Sequence, residues 1–269
     1  MIVLKSREEI NKMRRAGHLV GKVLNAIVER ADVGVTTLEL DRIAERMIRD
    51  SGAVPAFKGY EPEFVQCGPF PGTICASVND EVVHGIPGIR PLEDGDVLSI
   101  DTGVEMEGYF GDAAVSLIIG KPESEALILV DVTRNALDAG IAACRAGNRL
   151  GDISSAIQTV VEAAGFSVVR RFVGHGIGAR MHEDPPIPNY GTPGTGPVLK
   201  PGMIFALEPM VNMGSSDVWT SPECWKVKTK DGRLSAHFEH TVAVTDSGAE
   251  VLTTTSMGSS GLEKSCCFV

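Results

Sequence analysis

Four acidic residues in this 269-residue chain stand where strand-like runs should be apolar. Asp101 ends Val97-Leu98-Ser99-Ile100, and Asp112 begins a run through Ala113-Ala114-Val115. Glu208 ends Ile204-Phe205-Ala206-Leu207, and Glu239 lies between Phe238 and His240. Strands buried on one face alternate apolar with polar residues, and those buried on both read as continuous apolar runs. Carboxylates in such runs lose hydration, and neighbouring carboxylates repel, so a cluster of four calls for a cation. A hairpin folded near Met106-Glu107 would set Asp101 directly opposite Asp112 on one face. His175 can complete the set, because Gly174 and Gly176 let backbone approach a ligand closely. Carboxylates with one imidazole suit a pair of divalent ions, and Co, Mn, Fe, Zn and Ni are not distinguished by them. Such ions activate water for hydrolysis.

Other chemistries find weaker support. There is no G-x-S-x-G elbow and no S-x-x-K motif, and nothing singles out one cysteine as a nucleophile paired with a histidine. Gly174-x-Gly176-x-x-Ala179 matches a dinucleotide fingerprint only loosely, because Pro185, Pro186 and Pro188 oppose the helix that should follow. His182-Glu183 cannot be H-E-x-x-H, since position 186 is proline. His237 shares a strand face with Glu239 by period two and is a secondary candidate for the rim of the site.

The elements that must position these residues occur twice. Ser6-Arg7-Glu8-Glu9 is a capping box before Ile10, Met13, Val20, Val23, Leu24 and Ile27 at helical spacing. Thr36-Thr37-Leu38-Glu39 opens a second helix that ends near Gly52. Strand-like runs follow over residues 73–78, 97–104 and 112–119. A helix from Pro122 and a shorter one from about Asp152 to Ala164 restart the pattern, with runs over 167–173, 202–207 and 239–244. His84-Gly85-Ile86 is echoed by His175-Gly176-Ile177. Leu92-x-x-Gly95 leads to Asp101 with the spacing by which Leu199-x-x-Gly202 leads to Glu208. An α+β fold with internal pseudo-twofold symmetry is expected: one domain over 1–255, halves at about 8–120 and 121–250, and a tail at 256–269.

Lys and Arg total 25 against 35 Asp and Glu, and the net charge of −10 argues against a DNA-binding role. No apolar run approaches the roughly 18 residues of a membrane span. The start MIVLKSREEI lacks a signal-peptide pattern, so a cytoplasmic protein is expected. Cys67, Cys75, Cys144, Cys224, Cys266 and Cys267 include no C-x-x-C pair and read as reduced thiols.

Over about residues 5 to 255 the chain resembles the type I methionine aminopeptidases. The resemblance rests on Asn79-Asp80-Glu81-Val82-Val83-His84-Gly85-Ile86-Pro87, Ser99-Ile100-Asp101, Gly111-Asp112, Gly174-His175-Gly176-Ile177-Gly178, His182-Glu183, Glu208-Pro209-Met210-Val211 and Phe238-Glu239-His240-Thr241. It implies the pita-bread fold, with a curved antiparallel-rich sheet flanked by helices. It also implies two divalent ions on Asp101, Asp112, His175, Glu208 and Glu239, with Asp112 and Glu239 shared. By the same resemblance His84, His182 and Glu208 are catalytic, and Phe57, Tyr60, Cys75, Met181 and Trp225 form a methionine pocket beside His84 and His182. Asn79 and Ser235 match positions near a monovalent-cation site.

The chain departs from the family pattern in an extra segment at about Glu61 to Phe70, and in Met181, where an aromatic is usual. Proline-specific relatives carry a long N-terminal domain that the 100 residues before Asp101 cannot hold. The 25 residues between His182 and Glu208 are too few for the type II insertion. The implied activity is removal of N-terminal methionine before a small residue, from newly made polypeptides at the ribosome, by a monomer. The alternatives are an Xaa-Pro aminopeptidase and a non-catalytic binding relative, and the complete ligand set speaks against the second.

Overall fold

The computed structural model describes residues 2–61, 68–222 and 224–254. Four helices flank the sheets: α1 (Arg7–Arg30), α2 (Thr37–Asp50), α3 (Ser124–Ala143) and α4 (Leu150–Ala163). The Ser6 hydroxyl accepts the Glu9 N–H at 3.3 Å, while the Glu9 carboxylate accepts the Ser6 N–H at 2.7 Å. Thr36 and Glu39 do the same for α2. Each box satisfies N–H groups that a helix start leaves without partners.

The main sheet has nine strands. Its path runs Val54–Pro55, Val97–Met106, Tyr109–Ile118, Glu239–Thr245, Ile204–Leu207, Gly174–Gly176, Glu183–Ile187. Ile74–Val78 adds to Val97–Met106, and Gly248–Val251 adds to Glu239–Thr245. Strands from early and late in the chain therefore meet at its centre, where Tyr109–Ile118 pairs with Glu239–Thr245. A smaller sheet joins Ser235–His237, Met210–Asn212 and Ser167–Val168. The run read from the sequence over 167–173 is cut short by a bend at residues 170–172, where Arg170 and Arg171 are exposed.

α1 lies directly on the long hairpin of Val97–Met106 and Tyr109–Ile118. A Cβ at Gly111 would come within 2.7 Å of the Gly17 nitrogen, so only glycine permits this approach. Val20, Leu24 and Ile27 of the helix are fully buried with Ile100, Val104 and Val115 of the hairpin. Each such side chain contributes about 1.5–3 kcal/mol.

The hairpin differs from the sequence expectation in its register. Met106 pairs with Tyr109, and the turn residues Glu107 and Gly108 take φ 54° and 76°. Two left-handed central residues match the twist of a two-residue hairpin. Centring the turn one residue later shifts the pairing by two, so Asp101 faces Ala114 and Asp112 faces Gly103. Asp101 and Asp112 are diagonal neighbours rather than direct partners.

Candidate active site

Register and the two-residue strand period put the acids on one face. Asp101 pairs with Ala114, and Ala114 pairs with Glu239, giving a row across three strands. Asp112 lies two residues from Ala114 and shares its face. His175 pairs with Ala206, which pairs with Thr241, two residues beyond Glu239. Glu208, just past the end of its strand, continues the Ala206 side. Thr241 fixes the centre: its hydroxyl accepts the Asp112 N–H at 3.0 Å and donates to the Asp112 carbonyl at 2.8 Å.

These groups are withdrawn from water. Asp112 and Glu239 are 3% and 2% exposed. Asp101 Oδ1, Asp112 Oδ1 and Glu239 Oε1 are buried without a hydrogen-bond partner. Burial, reinforced by neighbouring carboxylates, pushes the carboxyls of Asp101, Glu208 and Glu239 well above the usual range. Burial raises Asp112 to about 7. Among the described residues no lysine or arginine pairs with any of the four. Ligand atoms of Asp112, His175 and Glu239 lie within 4.8 Å of one another. The residues fit a metal centre, because cations would satisfy orphaned oxygens that otherwise cost about 1–3 kcal/mol each.

The histidines are held neutral. Burial, then the adjacent His182, lowers His175 to about 3. Its Nδ1–H donates to the Gly176 carbonyl at 2.9 Å, which leaves the Nε2 lone pair facing Glu208 Oε1 at 3.6 Å. That is the tautomer a ligand needs. His84 takes a left-handed φ of 59°, stands edge-on to Phe172 and Trp225, and is lowered to about 4 by burial. The His182 ring lies 4.3 Å from that of His175, and its Nδ1 is 2.9 Å from the Tyr60 hydroxyl.

A cavity of about 580 Å³ opens over this floor, lined by His84, His182, all five candidate ligands, and Phe57, Tyr60, Cys75, Met181 and Trp225. A Cβ at position 103 would sit 2.9 Å from Phe57 and 3.1 Å from Met181, so Gly103 makes room for the apolar wall. Phe70, which sequence reasoning missed, meets Trp225 edge-on at 5.2 Å. The backbones of Tyr60 and Phe70 are hydrogen-bonded, closing the base of the extra segment, whose residues 62–67 lie outside the described residues. Phe172, Arg171, Thr220, Cys224 and Val227 also line the cavity and were not anticipated. Only Phe172 left a signal, as an aromatic three residues before His175.

Cysteine chemistry is decided here too. Burial, then the nearby carboxylates, pushes the Cys75 thiol far up, and burial brings Cys144 to about 12, so neither is a nucleophile at neutral pH. Cys224, expected to be reduced, is disulfide-bonded. Pairing depends on Cα separation in space, which spacing along the chain does not reveal. The loosely matched dinucleotide segment is a strand, Gly174–Gly176, leading to another at Glu183–Ile187. Asn79 and Ser235 are adjacent, the Ser235 N–H donating to the Asn79 carbonyl at 2.9 Å.

Residues 11–246 match metallopeptidase family M24. A methionine aminopeptidase of Clostridium perfringens is 51% identical, the alignment covering 94% of this chain and 99% of that protein. The crystal structure of methionine aminopeptidase from Rickettsia prowazekii superposes with a TM-score of 0.90 at 40% identity, covering 94% of this chain and all of that one. A prolidase of Pyrococcus horikoshii shares the fold at 20% identity and TM-score 0.74, with 95% of this chain spanning 64% of that one.

Proposed function

This chain belongs to metallopeptidase family M24, and we propose that its cavity is the active site that removes the N-terminal methionine of peptides with a small second residue. The observation that supports this site assignment is the row of buried, unpaired carboxylate oxygens beneath an apolar cavity. Asp101, Asp112, His175, Glu208 and Glu239 would hold two divalent ions. Ions in such a site polarise the scissile carbonyl and lower the pKa of water to near neutrality.

The chain's own groups do the rest. Glu208, as the carboxylate it must be to serve the ions, accepts the proton from the attacking water and passes it to the departing amide nitrogen. His84 and His182 are neutral at pH 7 and present N–H groups to the carbonyl oxygen as charge develops on it. Tyr60, its hydroxyl kept protonated by burial, donates to His182 Nδ1 and leaves Nε2–H as the donor.

Phe57, Tyr60, Phe70, Cys75, Met181 and Trp225 enclose the methionine side chain, whose thioether gains sulfur–aromatic contacts. The second residue lies beside the ions and His84, between rigid strands. A side chain as large as Leu displaces the carbonyl, and a shift of about 1 Å costs roughly 10²-fold in rate. The substrates are newly made polypeptides, met at the ribosome in the cytoplasm by a monomeric enzyme. No helix among the described residues is long and apolar enough to cross a membrane.

The test is peptide cleavage by chelator-treated protein reconstituted separately with Mn, Fe, Co, Ni and Zn. Met-Ala should be cleaved, Met-Leu poorly, and Ala-Pro not at all. Full activity without metal, or preference for the Xaa-Pro bond, would overturn the proposal.

A further inference from the structure

His237 is buried at 2% exposure, yet its Nε2 has no hydrogen-bond partner. Its backbone is clamped from both sides by one hydroxyl: Ser116 Oγ accepts the His237 N–H and donates to the His237 carbonyl, each at 2.8 Å. Ser99 Oγ lies 2.7 Å behind Ser116 Oγ. The imidazole is thus mounted on a fixed platform, and the group it faces is Glu208, whose Oε2 lies 3.9 Å from Nε2. The other oxygen, Oε1, faces His175 at 3.6 Å.

Among the four acids Glu208 has the weakest backbone support. Asp101, Asp112 and Glu239 sit within strands, whereas Glu208 follows the last residue of Ile204–Leu207 and precedes Pro209. Its carbonyl accepts from Asn189 Nδ2 at 2.9 Å. A carboxylate that must serve the metals with one oxygen needs something to hold the other. A buried donor left unpaired is costly and is usually explained by a missing partner.

We propose that His237 is the positioning residue for Glu208: its Nε2–H donates to Glu208 Oε2 and so turns Oε1 towards His175 and the metal site. The assignment rests on the ligand role of Glu208 argued above. It predicts that His237 acts on ion affinity and on kcat, not on methionine binding.

Three variants, His237→Ala, His237→Leu and His237→Gln, would be compared by calorimetric titration of the chelated protein with Mn and by Met-Ala kinetics. Leu keeps the volume without a donor, and Gln restores an N–H. Loss of a partner behind a ligand typically costs about 10–100-fold in metal affinity or activity. Ala and Leu should lose that much in Mn affinity and in kcat, with KM little changed, and Gln should recover most of it. Wild-type Mn affinity in the Leu variant would overturn the inference, as would a Gln variant no better than Leu. Wild-type protein that binds Mn but cleaves no Met-Ala would overturn the function proposed above, while the Mn titrations would still decide this inference.

Discussion

The floor of the cavity rides on paired strands, whereas its apolar wall, apart from Cys75 and Val227, comes from segments outside any strand. Asp101, Asp112 and Glu239 are fixed by neighbours across a ladder, and Asp112 is further gripped by Thr241. Phe57, Tyr60, Phe70, Met181 and Trp225 converge from four separate stretches of chain. A ladder holds side chains to the precision that ion ligation demands. Loops tolerate insertion and exchange, and Tyr60, after which the resemblance implies an extra segment, and Met181, where it implies another departure from the family pattern, both lie outside the strands. On the proposed function, chemistry and selectivity fall on parts of unequal rigidity, and substitutions should separate them.

The largest effect belongs to the floor. Asp112→Asn should lose metal stoichiometry and lower kcat/KM on the order of 10³-fold or more. Chelated Asp112→Asn should be no less thermally stable than chelated wild type, because it removes one of several mutually repelling buried acids. Metal analysis and calorimetry read both results, and retention of both ions would break the contrast between floor and wall. His84→Ala comes next, with kcat falling by roughly 10²-fold while both ions stay bound. Loss of metal equal to that of Asp112→Asn would move His84 into the ligand set.

The wall should answer through binding. Trp225→Ala is expected to raise KM for Met-Ala about tenfold or more, since a methylene-sized change in an apolar pocket is worth about 1–3 kcal/mol. Norleucine should be cleaved detectably and alanine poorly, and kinetics on the three N-terminal residues would show whether the wall selects. A fall in kcat without a change in KM would mean that the wall is part of the chemistry.

The smallest effect concerns the back of the floor. His240, half-buried and held by a 2.8 Å contact between Nδ1 and Thr253 Oγ1, is lowered to about 4 by loss of hydration around its ring. An unfolded histidine titrates at about 6.5, so between those values the unfolded chain binds more protons. Stability from neutral His240 is complete above pH 6.5 and is lost as the pH falls towards 4. His240→Asn should flatten the slope of the urea midpoint against pH in that window. An unchanged slope would show that His240 is not held neutral by burial.

Some of this was visible along the chain. Acids that interrupt apolar runs, a histidine between glycines and two capping boxes are local patterns, set by residues within a turn or a strand of each other. Ser6 with Glu9 and Thr36 with Glu39 cap helices because the partners are three residues apart. The cavity is lined by the five candidate ligands, His84, His182 and the five candidate pocket residues, though not by Asn79 or Ser235, and how they are gathered depends on distant partners.

The sequence by itself determined the helix caps, the α+β pattern and the identities of the acids, because each follows from side-chain chemistry and the 3.6- or two-residue period. Tertiary structure alone decided that Asp101 sits diagonal to Asp112, since two left-handed residues centre the turn between Glu107 and Gly108. It alone brought Phe70 against Trp225, left His237 facing Glu208, and placed Cys224 in a disulfide. The last three outcomes depend on where segments far apart in the chain come to rest, and the free energy that puts them there is shared by the whole core rather than written in the neighbouring residues.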